Sequence, residues 1–304
     1  MDTGNHADPS WPRDTEPHGG ASARDGATDG TPASRGDTEP DAGTAADASA
    51  APRGHAWLER IWPPAVTLAA LIALWEAVVD FGIVSPRTLS APSQIVRAIT
   101  SSWGTLGYAT WGTTVEGVLG FLVAIAVGIP LGVGLHCSRR FHASVYPLLV
   151  GAQTLPIIAI APLFLHWFGF EPIGKLVLVA VFATFPIAVQ TGRGLDAVPG
   201  FYRDVALTCG ATSSWTLWHV ELRVAARQIF GGIRIAAAYV IGTAATAEYM
   251  GSRAGLGIWL QAAYNSFRTQ LVFAASVVIV LLTAALMGAV SAAERILLGP
   301  RDDE

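Results

Sequence analysis

The chain has 304 residues, of which 52% are hydrophobic and only 14% charged, against about 25% charged in an ordinary soluble domain. That deficit argues for a membrane protein and against a large soluble core. The net charge of −4 says nothing about such a core, because residues 1–60 carry 11 acidic and 5 basic residues, a balance of −6, leaving +2 for residues 61–304.

The first 55 residues are mainly Asp, Gly, Ala, Thr, Pro and Ser, and "DTEP" at 14–17 returns at 37–40. Such a segment buries too little apolar surface to offset its conformational entropy, so residues 1–55 are expected to form a disordered, cytoplasmic low-complexity tail. No apolar run follows Met1, which argues against a secretory signal.

A bilayer core of about 30 Å takes about 20 mostly apolar residues per helix. Six stretches qualify: 61–81, 111–135, 145–168, 173–192, 229–249 and 271–293. An all-α, polytopic membrane domain over 57–298 is therefore expected. The third stretch contains Pro147, Pro156 and Pro162. Breaks of that kind survive in lipid only where neighbouring protein or a water-lined cavity satisfies the freed backbone. Between the first two stretches, residues 91–104 read equally as a short outer-surface helix or as an ordered loop.

Arginine and lysine placement sets orientation. With both termini inside, the cytoplasmic segments hold Arg53, Arg60, Arg139, Arg140, Arg193, Arg203, Arg223, Arg227, Arg295 and Arg301. The outer segments then hold Arg87, Arg97, Lys175, Arg253 and Arg268. That bias favours cytoplasmic termini in a cell-membrane protein. It also puts Cys137 and Cys209 in the cytoplasm, where reduced thiols are expected and a disulfide is not.

Several chemistries lack their residues. There is no HExxH, CxxC or GxSxG. Lys175, the only lysine, follows Gly174 but precedes Leu176, so no phosphate-binding P-loop exists. Any ATP that drives this protein binds another chain. No catalytic residues, metal or cofactor are expected. Of the ionisable residues near the spans, Glu76 and Glu116 lie deepest and read first as interhelical hydrogen-bonding groups. Asp80, Arg234 and Glu248 fall near span ends, where reaching the interface relieves their cost.

Residues 204–220, "DVALTCGATSSWTLWHV", are too polar to span. They can form two short helical pieces hinged at Gly210, with apolar groups at Val205, Ala206, Trp215, Trp218 and Val220. Spacing alone leaves open whether they seat in a partner's groove or lie at the lipid headgroups.

Here the sequence resembles the permease subunits of binding-protein-dependent ABC importers. Those carry E-A-A, three residues, Gly, nine residues, then I-x-L-P in the loop before the penultimate span. This chain has Asp204-Val205-Ala206, three residues, Gly210, nine residues, then Val220-Glu221-Leu222-Arg223. Val205 and Arg223 depart from the pattern. The resemblance covers about residues 57–298 and includes "LSAPSQIVRAI", "QTLPIIAIAPLFLHWFGF" and "AEYMGSRAGLGIWLQAAYN". It points to the branch that handles nitrate, sulfonates, taurine and thiamine pyrimidine precursors.

The resemblance implies the type I, MetI-like permease fold and residues 199–223 as a cytoplasmic coupling loop. It also implies a separate ABC ATPase inside, a solute-binding protein outside and a second copy of the chain, all in membrane lipid, with no nucleic-acid partner. The coupling residues would be Asp204, Val205, Ala206, Gly210, Val220 and Leu222. The candidate pathway residues are Gln153, Thr154, Trp167, Gln190 and Glu248. "PIIAIAPLFLHWFGF" and "FATFPIAVQTGRGL" look closest to permeases for hydroxymethylpyrimidine-type precursors, with sulfonate, taurine or nitrate as the alternative. A secondary transporter is the rival from another class. It would usually show more spans or an inverted repeat.

Overall fold

A computed structural model describes residues 56–85, 88–169 and 172–299; the expected tail lies outside the described residues. Every regular element among them is helical. In chain order they are α1 (Ala56–Asp80), α2 (Pro92–Ser101), α3 (Trp103–Cys137), α4 (Arg139–Ala152), α5 (Ile157–Phe168), α6 (Pro172–Asp196), α7 (Gly200–Thr208) and α8 (Ser213–Thr216). A π-helical stretch, Leu217–Glu221, then joins α9 (Leu222–Gly251), followed by α10 (Leu256–Asn265) and α11 (Thr269–Leu298).

Five of the six expected spans appear as continuous helices long and apolar enough to cross a bilayer. The third does not. It is the pair α4 and α5, bent by 105°. Pro156 has no N–H to donate and disfavours helical backbone at Leu155, so α4 stops at Ala152 and α5 restarts after Pro156. Pro147 and Pro162, by contrast, lie inside helices.

The bundle is held by small residues, as expected where lipid removes the hydrophobic drive between helices. Along α3, Gly120, Ala124, Gly128 and Gly132 face α6. A Cβ at Gly120 or Gly128 would come within 2.8 Å of Val179 or Ile187, and one at Gly132 would collide with Thr191. α6 is the most enclosed span, packed between α3 and α9. Its Pro186 leaves the Phe182 carbonyl without a helical donor, and the Tyr239 hydroxyl of α9 donates to that oxygen at 3.4 Å. The central core joins Ala124, Val179, Ala183, Ile187, Ala236 and Val240.

α11 packs on α9 and α10, and α2 packs on α11. Residues 91–104 thus resolve as a helix, with Ile95 and Ala98 turned inward. Among the described residues, α1 meets the rest near its end. Trp75 contacts the Phe273 ring at 6.1 Å, and the backbone N–H of Ser93 donates to Glu76 Oε2 at 3.0 Å. The topology gives the bundle two ends, one carrying α10 and the other α7.

Candidate functional site

At the α7 end, the chain leaves α6 through Pro199, which precedes the first turn of α7 where the missing N–H is tolerated. α7 is a nine-residue helix with no buried residue. It ends at Gly210, whose φ of 86° is a left-handed conformation that glycine adopts without steric cost. The Gly210 N–H donates to the Leu207 carbonyl at 3.0 Å, and the Ala211 N–H to that of Ala206 at 3.1 Å. These bonds satisfy carbonyls that a helix end leaves open. Thr212 then caps α8, its Oγ1 accepting from the Trp215 N–H at 3.3 Å.

The first of the two helical pieces expected around Gly210 is α7. The second is not separate, because α8 runs through the π-helical stretch into α9. Val220 and Leu222 therefore sit in continuous helix, not in a loop. An open cavity of about 710 Å³ is lined by Phe201, Val205, Ala206, Gly210, Trp215 and Val220 among others. It brings together four of the six predicted loop residues. Asp204 stands exposed on α7, and Leu222 packs against the central core.

A second cavity, of about 270 Å³, lies at the bend between α4 and α5 against α6. Gln153, Gln190 and Arg193 line it with Val150, Pro186 and Val189. Gln228 of α9 donates to Gln190 Oε1 at 3.0 Å. Arg193 Nε and Nη2 donate to the Tyr146 hydroxyl at 2.9 and 2.7 Å. Gly232 makes room for this approach: a Cβ there would lie 2.7 Å from Gln190 Cβ. Of the five predicted pathway residues, the fold gathers Gln153 and Gln190 here. Thr154 is next in the bend, its hydroxyl donating to the Gly151 carbonyl at 2.7 Å. Trp167 is exposed at the far end of α5.

Glu248 is elsewhere, in a buried polar cluster at the α10 end. It lies in the last turns of α9 as expected, but it does not reach the interface: its exposure is 0%. The Thr113 hydroxyl donates to its carboxylate at 2.8 Å, and so does the Gly257 N–H. The Leu256 N–H donates to Thr113 Oγ1 at 2.8 Å. Glu248 and Thr113 together cap α10, satisfying N–H groups that a helix start leaves open. Gly255 has φ 118°, and a Cβ there would collide with the Glu248 carboxylate.

Beside it, Lys175 Nζ donates to Glu116 Oε1 at 2.6 Å and to Ser252 Oγ at 3.0 Å. Lys175 is 3% exposed, so it is not the outer-surface charge that its place in the sequence implied. Glu116 is the interhelical partner its depth predicted. Arg234 pairs with Glu294 of α11 at 3.1 Å. Reading the sequence missed Thr113 and the pairing of Lys175, since these contacts join residues 135 and 59 apart in the chain. Among the described residues, no group of three His, Cys, Asp or Glu is placed to hold a metal ion.

A bundle of long apolar helices, one of them broken beside a polar cavity, with an exposed apolar loop at one end, defines a multi-pass membrane transport subunit. The chain belongs to the family described as binding-protein-dependent transport system inner membrane component, which it matches over residues 120–298. It is 30% identical over 236 residues to the formylaminopyrimidine transport permease protein ThiX of Halalkalibacterium halodurans, covering 77% of this chain and 94% of that one. It is 29% identical over 227 residues to the putative aliphatic sulfonates transport permease protein SsuC of Bacillus subtilis, covering 74% and 80%. Its fold is similar to a chain of the inward-facing MetNI methionine ABC transporter, with a TM-score of 0.58 at 19% identity over 65% of this chain and 98% of that chain.

The fold is thus the MetI-like one, and the protein is the membrane component of a binding-protein-dependent ABC importer. It is not itself an enzyme: in this family ATP hydrolysis belongs to a separate subunit. An ATPase and a binding protein are the partners that membership implies.

Proposed function

We propose that this chain forms the translocation pathway for a thiamine pyrimidine precursor of the hydroxymethylpyrimidine type, delivered by an extracytoplasmic binding protein. The observation that carries this reading is the cavity lined by Gln153 and Gln190. A primary amide both donates and accepts hydrogen bonds, as a neutral heteroaromatic ring with an amino group requires. Arg193 turns two donors onto Tyr146, which leaves less of its fork for a free anion. The relative named for formylaminopyrimidine transport supports the same substrate class. Arg193 also supports the second reading, a sulfonate, taurine or nitrate path, because guanidinium recognises oxyanions well.

In this reading both termini are cytoplasmic. The α7 end faces the cytoplasm with Arg139, Arg140, Arg203 and Arg223, in keeping with the positive-inside bias. Burial of Lys175 against Glu116 removes one of the five outer charges and strengthens the asymmetry. Asp204, Val205, Ala206, Gly210 and Val220, with Leu222 anchoring them to the core, form the coupling element. The apolar cavity around Val205 and Trp215 seats the ATPase. Two copies of the chain enclose the pathway. Gln153, Thr154 and Gln190 line it, while Trp167 and the α10 anchored by Glu248 border its outer mouth.

The test is uptake of labelled hydroxymethylpyrimidine in cells with and without the gene, with unlabelled taurine and nitrate as competitors. Loss of uptake on deletion, unaffected by either competitor, is expected. Uptake that survives deletion, or that taurine or nitrate abolishes, sinks the pyrimidine reading.

A further inference from the structure

The α7 end also holds a chain of four ionisable side chains, His136, Asp196, Glu221 and Arg203. His136 is the penultimate residue of α3. Its Nδ1 lies 2.6 Å from Asp196 Oδ1, on the last residue of α6. Its Nε2 lies 3.2 Å from Glu221 Oε2, on the last residue of the π-helical stretch. Glu221 Oε1 in turn lies 3.9 Å from Arg203 Nε on α7. The Glu221 side chain is 7% exposed, so water does little to solvate its charge, which faces His136 and Arg203.

Both ring nitrogens of His136 therefore face carboxylates. A neutral imidazole has one N–H and can donate to one of them; the imidazolium donates to both. Asp196 also stands at the negative end of the α6 dipole, where a carboxylate is disfavoured without a cation beside it. The π-helical turn, a feature that recurs at functional sites, ends at Glu221, between His136 and Arg203. The charged groups facing the imidazole are thus Asp196 from α6 and Glu221 from the π-helical stretch, with Arg203 of α7 behind Glu221. Arg139 and Arg140 stand exposed at the start of α4.

We infer that His136 is a positioning residue for energy coupling: as an imidazolium it ties α7 and the start of α9 to the inner ends of α3 and α6. Displacing α7 then moves three spans together. A side chain that donates to only one carboxylate leaves the other without its donor, and the coupling element then moves with less of the bundle. This rests on the coupling role proposed above for α7, and the test separates the two.

The two natural cysteines flank the proposed tie: Cys137 follows His136, Cys209 caps α7, and both are exposed. Spin labels on the pair, in full-length protein in nanodiscs diluted with cysteine-free copies, read the intramolecular distance without any partner. Wild type is expected to give a narrow distribution. His136→Gln is expected to give a broad one, and His136→Arg a narrow one. Asp196→Asn, a milder change at the same contact, is expected to follow His136→Gln.

The second measurement uses permease assembled with its ATPase and binding protein in proteoliposomes. His136→Gln is expected to retain ATPase co-purification and basal hydrolysis while uptake per ATP falls about five-fold or more, the scale of a typical coupling energy. His136→Arg is expected to restore uptake. A His136→Gln protein with the wild-type distance distribution and wild-type uptake per ATP overturns the inference. Undiminished co-purification in an α7 variant such as Asp204→Lys overturns the coupling role of α7 and leaves the distance result standing.

Discussion

Glu248, near the end of α9, and Gly257, in the first turn of α10, are joined by a hydrogen bond of 2.8 Å from the Gly257 N–H to a fully buried carboxylate oxygen. Thr113 of α3 completes the lock from the other side. Removing the carboxylate leaves buried donors unpaired, which costs about 1–3 kcal/mol. Glu248→Ala is expected to lower thermal stability in detergent by that amount and to speed hydrogen exchange across 256–265. Glu248→Gln retains an acceptor oxygen and is expected to lose less. Equal stability of Glu248→Ala and wild type would refute this account.

The Lys175–Glu116 pair gives a sharper test, since both side chains are largely enclosed. Breaking one side of a buried pair costs about 3–5 kcal/mol, whereas replacing both sides with apolar residues is often close to neutral. Lys175→Met is expected to be severely destabilised, and Lys175→Met combined with Glu116→Leu to recover most of the loss. A double-mutant cycle from denaturation midpoints reads the difference; additive losses would show that the pair is not coupled.

Helix approach at Gly132 leaves no room for a side chain against Thr191. Gly132→Val is expected to cost about 1–3 kcal/mol through overpacking and to broaden the size-exclusion profile. A Cβ at Gly231 or Gly112 meets open space. Alanine at those positions is expected to leave melting unchanged, which makes them the controls.

Gly210 combines a positive φ with a backbone N–H that is in use. Proline supplies neither, because its ring holds φ near −65° and it has no N–H. Gly210→Pro and Asp204→Lys are expected to reduce ATPase co-purification about ten-fold, equivalent to about 1.4 kcal/mol, while helix content by circular dichroism is retained. Wild-type co-purification with intact uptake would remove the loop from the coupling step.

In the cavity at the broken span, Gln153→Leu and Gln190→Ala each delete an amide. Each is expected to raise the KM for uptake by up to about ten-fold, a change of about 1.4 kcal/mol, without altering the melting temperature. Unchanged KM in the double variant would place the substrate route elsewhere.

Five continuous spans were legible because hydropathy is a local property: about 20 apolar residues are recognisable wherever they occur. That the third stretch is broken was legible from its three prolines, since a missing N–H acts on its own helix; that Pro156 alone carries the break was not. A short helix ending at Gly210 was legible from the residues around it, and its proposed coupling role came from the family resemblance of Asp204, Gly210 and Val220. The form of the second piece was not: Val220 and Leu222 are helical because they continue into α9, a continuity that a pattern of residues around Gly210 does not reveal.

What the sequence determined alone was the class of solvent, the stretches apolar enough to cross it and the absence of a nucleotide-binding loop, all of which depend on neighbours in the chain. What tertiary structure decided was the fate of each charge. Glu248 and Lys175 sit near helix ends in the sequence, as exposed groups do, yet both are buried. Their partners Thr113, Gly257 and Glu116 arrive from other helices, and His136 meets Asp196 and Glu221 in the same way. A buried charge is tolerated only where hydrogen bonds and opposite charge surround it. In this protein that surrounding is created by the close packing of α3, α6 and α9.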